Sequence, residues 1–248
     1  MLHKADFRFY GALNDFLPRL RKDIWLCYTF RDAPAVKDAI EALGVPHPEL
    51  NVVLVNDDPV GLLHPLLPDD RVAVFPVGPD YSWPDGYALK TRTPAAVKFV
   101  LDVHLGKLAR VLRMLGFDTS YENNYSDKTI AQIAERDHCI VLTRDVGLLK
   151  QKVIKWGYWL RSQHPEEQLA EVIHYYELAE KLRPFERCMA CNGKIMAVPK
   201  EAILDKLPPK TKLYFNEFFQ CPSCKRIYWK GSHYERMQQF IERLHQQL

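Results

Sequence analysis

Three aspartates and four cysteines are the side chains of this 248-residue chain whose types and spacing could do chemistry. Asp102 follows the apolar run Phe99-Val-Leu101, and Asp145 follows Cys139-Ile-Val-Leu-Thr143-Arg144. A carboxylate placed directly after a buried strand sits at the strand's C-terminal end, which borders the ligand crevice of an open parallel sheet. Asp127, behind Ser126, opens a helical stretch that could face the same crevice. Carboxylates gathered there repel one another, and a divalent cation relieves the repulsion. Mg²⁺ or Mn²⁺ prefers such oxygen ligands and accepts phosphate oxygens in its remaining positions. Bound there, it would activate a water and stabilise an in-line displacement at phosphorus. Asp102, Asp127 and Asp145 are therefore the candidate catalytic residues. Taken singly, each has a plainer use: Asp127 as a helix cap, Asp145 as a turn residue.

Basic residues sit beside these acids. Lys107, Arg110 and Arg113 recur every three residues after Asp102, and Leu105, Leu108, Leu112 and Leu115 supply the apolar side of the same helix. A basic stripe starting at an acidic cleft suits an enzyme acting on phosphodiesters, because cations hold the backbone while the metal site does the chemistry. Arg144, next to Asp145, is a further candidate phosphate contact. An ordinary amphipathic helix with solvated cations is the competing explanation.

Cys188-x2-Cys191 and Cys221-x2-Cys224 are separated by 29 residues, a spacing that suits a ribbon hairpin. Two such knuckles complete a tetrahedral four-sulfur site favouring zinc, and with every valence taken by protein the site is structural. Cys27 and Cys139 stand alone in apolar runs and are expected to be inert. Around the cysteine pairs, lysines and aromatics alternate, as in Tyr228-Trp-Lys230. Cations with flat rings suit single-stranded RNA, although most of these rings are expected to form the ribbon's own core. Lys230 and His233 are the candidate RNA contacts of this segment.

The elements that must position these groups can be read along the chain. Two strands, a helix opened by Asp32-Ala-Pro34 and two further strands give ββαββ in the first eighty residues, a sheet with one packed helix. Pro79, Pro84, Gly86 and Pro94 mark a linker. From Lys98 strands and helices alternate, which implies a mainly parallel sheet covered by helices. The expected strands are 99–101, 117–121, 139–143 and 157–161. Expected helices cover 105–115, 126–137 and a long stretch, 164–182.

With 47% hydrophobic residues the chain can build real cores, so a largely disordered protein is excluded. No apolar run approaches the roughly 18–20 residues of a membrane span. Nor does Met1–Asp6 contain the apolar core of a signal peptide. A cytoplasmic location without membrane attachment is expected. Net charge is only +3, but residues 188–248 hold 10 basic against 5 acidic side chains, whereas residues 1–92 hold 10 against 13. Such asymmetry hints at a polyanion partner for the C-terminal part, although on charge alone a solvated surface with uneven charge is the better explanation.

Val52-Val-Leu-Val-Asn56 and Asp70-Arg-Val-Ala-Val-Phe75, in their ββαββ order, resemble the ubiquitin-like β-grasp domains of sulfur carriers. No terminal diglycine follows Gly78, so a docking or scaffold module with a protein partner is implied rather than thiocarboxylate chemistry. Leu101-Asp-Val-His-Leu-Gly-Lys-Leu-Ala-Arg-Val-Leu-Arg-Met-Leu-Gly-Phe-Asp118, followed by Leu142-Thr-Arg-Asp-Val-Gly-Leu-Leu149, resembles the Mut-seven C-terminal RNase family, a branch of the PIN-like nucleases. Its zinc-ribbon end is matched by Cys188-Met-Ala-Cys-Asn-Gly193, Cys221-Pro-Ser-Cys224 and Tyr228-Trp-Lys-Gly-Ser-His233.

The resemblance implies an α/β protein of three parts: a β-grasp domain (1–80), a linker (81–96) and a PIN-like α/β/α domain with a mainly parallel sheet (97–184), then a zinc ribbon (185–248). It implies a metal-dependent ribonuclease, with Asp102, Asp127 and Asp145 as its acidic centre. The fourth acid frequent in PIN nucleases has no counterpart in the segment 146–152. A catalytically silent RNA-binding or adaptor protein of the same fold is the alternative. A phosphotransfer role for Asp102 fits poorly, since His104 stands where Asp-x-Asp phosphatases carry a second acid.

Overall fold

The computed structural model describes residues 1–78 and 81–247. Pro79 and Asp80, where the β-grasp part was expected to end, lie outside the described residues, as does Leu248. By contacts the chain forms two compact units that are not contiguous in sequence: Met1–Asp102 with Tyr125–Arg161, and Val103–Asn124 with Ser162–Leu248.

The first unit contains a five-stranded sheet and a set of parallel strands. β1 (His3–Phe9), β2 (Leu26–Phe30), β3 (Leu50–Val55), β4 (Asp58–Pro59) and β5 (Arg71–Pro76) lie in the order β2-β1-β5-β3-β4. Only the central pair β1–β5 is parallel; β2, β3 and β4 pair antiparallel. Helix α1 (Val36–Ala42) buries Val36, Ala39 and Ile40 in the same core as Phe7, Phe9, Val53 and Val74. This is the β-grasp arrangement the ββαββ order predicts.

Later in the unit come β6 (Lys98–Leu101), β8 (Ile140–Thr143) and β9 (Trp156–Trp159), parallel and side by side in that order. All four residues of β8 are buried, as a strand covered on both faces requires. Helix α3 (Asp127–Asp137) starts where Ser126 Oγ accepts from the Thr129 amide at 3.2 Å, and ends at His138 in the left-handed region. His138 and Cys139 then lead into β8, so the helix N-terminus lies towards the strands' C-terminal edge. A four-residue helix, α4 (Val146–Leu149), follows β8.

In the second unit α2 (Gly106–Met114) buries Leu108, Leu112 and the flanking Leu115, as its leucine spacing predicts. Gly116 then turns with φ +95°, where a Cβ would strike the backbone carbonyl of Arg183. β7 (Asp118–Ser120) follows. The expected long helix is shorter: α5 (Pro165–Tyr176) ends because Glu177 adopts φ 52°, and the Leu178 amide caps the Ile173 carbonyl at 2.9 Å. Only a short 3₁₀ turn, Ala179–Lys181, continues it. The C-terminal segment holds the antiparallel sheet β10 (Met196–Val198), β11 (Phe218–Gln220) and β12 (Ile227–Trp229), with α6 (Pro209–Tyr214) between β10 and β11. It ends in α7 (Ser232–Gln247), a helix absent from the sequence reading. Among the described residues, no helix is long and apolar enough to cross a membrane.

Within the first unit the β-grasp part is bound to β9 through buried charge. Glu49 is 1% exposed. Its Oε1 accepts from the Trp159 amide at 2.6 Å, and its Oε2 from Arg161 Nη2 at 3.2 Å. Burial pushes the Glu49 carboxyl above the usual range, and Arg161 pulls it part of the way back. Above the ordinary carboxylate pKa the native state therefore binds more protons here than the unfolded chain, so this group's contribution falls as pH rises. Arg161→Met leaves the carboxylate buried without its guanidinium partner, held by the Trp159 amide and the charge of Lys90. Urea unfolding should show a loss of about 3 kcal/mol at pH 8, shrinking at pH 5 where Glu49 can take up a proton.

Candidate functional site

β6 and β8 pair in parallel with Leu101 opposite Leu142, so their C-terminal ends lie side by side. Asp102 leaves β6 there, its amide bonded to the Leu142 carbonyl at 3.1 Å. Thr143, the last residue of β8, is fully buried. Its hydroxyl donates to Asp102 Oδ2 at 2.8 Å and accepts from the Asp145 amide at 2.9 Å. One buried hydroxyl thus fixes both the direction of the Asp102 carboxylate and the backbone that carries Asp145. Asp145 Oδ1 in turn accepts from the Gly147 amide at 2.6 Å, capping α4.

Asp127 is exposed in the first turn of α3, with Ser126 rather than Asp127 acting as cap. The strand-to-helix topology brings it towards the same edge. Among the described residues, the four cysteines are the one group of three or more acidic, His or Cys side chains with all ligand atoms within 4.8 Å of one another.

That four-cysteine group has the geometry of a metal centre. Cys188 and Cys224 Sγ are 3.5 Å apart, and Cys191 and Cys221 Sγ 3.4 Å. A disulfide would bring sulfurs to about 2.05 Å, whereas a zinc tetrahedron with bonds of about 2.3 Å places them roughly 3.8 Å apart. The two knuckles are built alike. The Asn192 amide bonds the Cys188 carbonyl at 2.8 Å and the Lys225 amide bonds the Cys221 carbonyl at 2.9 Å. Asn192 and Lys225 both take positive φ, 68° and 61°. Gly193 lies so close that a Cβ would meet Cys221 Sγ at 2.9 Å.

Burial acts to raise the Cys188 thiol, but hydrogen bonds from Tyr228 and from the Cys191 and Ala190 amides outweigh it and bring the thiol down to about 6. For Cys221 burial is likewise outweighed, chiefly by the Cys224 amide, and its thiol too is lowered. Cys191 is pushed up to about 12, by burial and by neighbouring cysteine sulfurs. Soft sulfur donors at these distances can hold a zinc ion, and no position is left for water.

Paired cysteine knuckles and strand-end acids both fall within residues 97–241, the stretch matched by the Mut7-C RNAse domain family. The chain belongs to that family. A Mut7-C ubiquitin match covers residues 2–81 ahead of it. Neither curated proteins nor solved structures give a match to the chain.

Within the RNase domain the expected basic contacts divide. Lys107 and Arg110 are exposed on α2. Arg113 is a correction: it is 5% exposed, and its guanidinium donates to the carbonyls of Thr119 and Ala190 at 2.9 Å each and of Tyr121 at 3.3 Å. At about 100° per residue, three-residue steps slip 60° each. Arg113 therefore stands some 120° round the helix from Lys107, turned into the protein, where it ties α2 to β7 and the first knuckle. Arg144 is half-buried, and its Nη1 donates to the Arg161 carbonyl at 3.1 Å. Lys230 is exposed and paired with Glu217 at 2.7 Å. His233 is exposed on α7, with Nδ1 3.4 Å from Arg236 Nη2. Thr143 escaped sequence reasoning, because a threonine closing a strand has no signature apart from the acids around it.

Metal analysis of the purified chain should find about one zinc. Cys188→Ser or Cys221→Ser should lose that metal and expose the C-terminal segment to limited proteolysis, while the β-grasp core stays resistant. Folded wild-type protein without metal would contradict the assignment.

Proposed function

We propose that this member of the Mut7-C RNAse family is a metal-dependent ribonuclease that hydrolyses RNA phosphodiester bonds at the Asp102–Asp145 edge. The observation that supports it is the Thr143 hydroxyl, which orders two acids at adjacent strand ends where phosphate chemistry is done in such sheets. A bound Mg²⁺ or Mn²⁺ would supply an activated water and neutralise charge at the scissile phosphate. Asp102 and Asp145 would hold it, with Asp127 reaching in from the first turn of α3 or through a water. Lys107 and Arg110, exposed on α2, would bind RNA phosphates. The substrate in this reading is single-stranded RNA, and the β-grasp part offers a surface for a protein partner.

The engagement of Asp145 as a helix cap favours a second reading. In it the chain binds RNA through the same fold without cutting it.

Asp102→Asn keeps side-chain size and removes one charge. In the first reading it abolishes Mn²⁺-dependent cleavage of single-stranded RNA, and RNA affinity stays equal or rises slightly. Thr143→Val, which releases both acids at once, should lower the rate by about 10²-fold, the order expected when a reacting group is misplaced by about 1 Å. Wild-type protein that binds RNA and never cuts it with Mg²⁺ or Mn²⁺ selects the silent reading.

A further inference from the structure

Two adjoining cavities of the second unit contain none of the three aspartates. The larger, about 600 Å³, lies among α2, the start of α5 and α7. Helix α2 lines it with Lys107, Arg110, Val111 and Met114, and α7 lines it with His233, Arg236, Met237 and Phe240. Both sets are spaced i, i+3, i+4, i+7, one face of a helix. On each face the first two residues are basic and the last two apolar. The four basic residues are exposed, and Glu166 is the one acid among the lining residues.

The smaller cavity, about 220 Å³, shares Met114, Met189 and Met237 with the larger. The remaining wall is largely aromatic. Phe185 and Tyr234 meet at 40° with centroids 4.6 Å apart, and Phe219, Tyr228 and Trp229 come from the ribbon sheet.

We propose that the two cavities form one site for a single RNA strand, the groove holding its phosphates and the ring-lined cavity holding one base turned out of the stack. The inference rests on the RNA reading of the previous subsection and adds the subsite. Cations along a groove with rings beside it are what an unpaired strand needs, since phosphates pair with one and bases stack on the other. The smaller volume lies below the roughly 300–1,000 Å³ of pockets that enclose whole small molecules, and it suits one planar group. The shared wall is methionine, a soft side chain that adapts to rings of different shape. Selection of base identity is therefore weak. A duplex is disfavoured, because the base would first have to be unpaired.

The test measures binding of a labelled single-stranded RNA to the full chain, without added divalent ion and over a range of salt. Lys107→Glu with Arg236→Glu should weaken binding at least tenfold at low salt. Its dependence of log affinity on log salt should flatten by roughly 0.7 for each phosphate that the variant no longer neutralises. Tyr234→Leu keeps apolar bulk and removes a ring. It should weaken binding about tenfold with no change in salt slope, and abolish the wild type's preference for normal over abasic RNA. Retained zinc and circular dichroism establish that each variant is folded. Should the double variant misfold, Arg236→Gln at its exposed helix position must still lower the salt slope. Unchanged slope and unchanged preference for bases overturn the subsite and leave the groove to a protein segment. Wild type that binds no RNA overturns both the subsite and the RNA reading. Binding through these residues without cleavage supports the subsite and overturns only the nuclease chemistry.

Discussion

Parallel pairing of β6 with β8, in the register Leu101 to Leu142, is the constraint on which the acidic edge depends. Parallel strands end on the same side, so residues that follow them are neighbours however far apart they stand in sequence. Here that rule joins Asp102 to a Thr-Arg-Asp segment forty residues on. The register has a second consequence. Thr143 is the last paired residue of β8, and burial leaves its hydroxyl needing partners inside the protein. Asp102 and the Asp145 amide provide them. A one-residue slip would turn Thr143 to the opposite face and release both acids together.

The β-grasp part is more than an appended module, because the RNase strands continue its packing. Glu49 reaches the backbone of β9 and the guanidinium of Arg161, while His47 Nε2 meets the Ile154 carbonyl at 2.8 Å and Lys150 Nζ the Glu41 carbonyl at 2.6 Å. Buried charged contacts of this kind add little net stability over an apolar interface, but they penalise every wrong alignment, since a misplaced partner leaves a charge unpaired. Arg161 also leads from β9 towards the acidic edge: its carbonyl accepts from Arg144, the residue before Asp145. Alignment of the β-grasp part and order at the acidic edge are in this way linked through one residue.

Much of this was legible in the sequence, for local reasons. The β-grasp order, the three parallel strands and the leucine face of α2 follow from apolar period and turn residues, which act within a few residues. The cysteine pairs were legible because a knuckle is itself local. What escaped was decided at longer range. Arg113 reads as part of a stripe by spacing, yet six residues of helix rotate it towards carbonyls at Thr119, Tyr121 and Ala190. The expected helix 164–182 stops at Glu177, which takes a left-handed conformation without any glycine to announce it. Buried Glu49 carries no sign of its partner, which lies 112 residues away. Helix α7 carries a local signal in His233, Arg236, Met237 and Phe240, spaced i, i+3, i+4, i+7 along one helical face.

The four-cysteine cluster and the smaller cavity share Tyr228, so the order of one bears on the other. A site with all valences filled by sulfur is chemically closed, so its contribution is to shape. It holds Cys188 against Tyr228 at 3.0 Å, and thereby fixes one ring of the aromatic cavity. Arg113 carries the same order to α2, because one of its bonds ends on Ala190 between the first two cysteines. A knuckle that loosened would thus disturb α2 and the ribbon rings at once. Exposed cations on α2 and α7 are useful only if their helices are held at a fixed separation, since a flexible groove would give up entropy for each phosphate it orders. Zinc bound by the four cysteines would supply that rigidity to the groove proposed above for RNA.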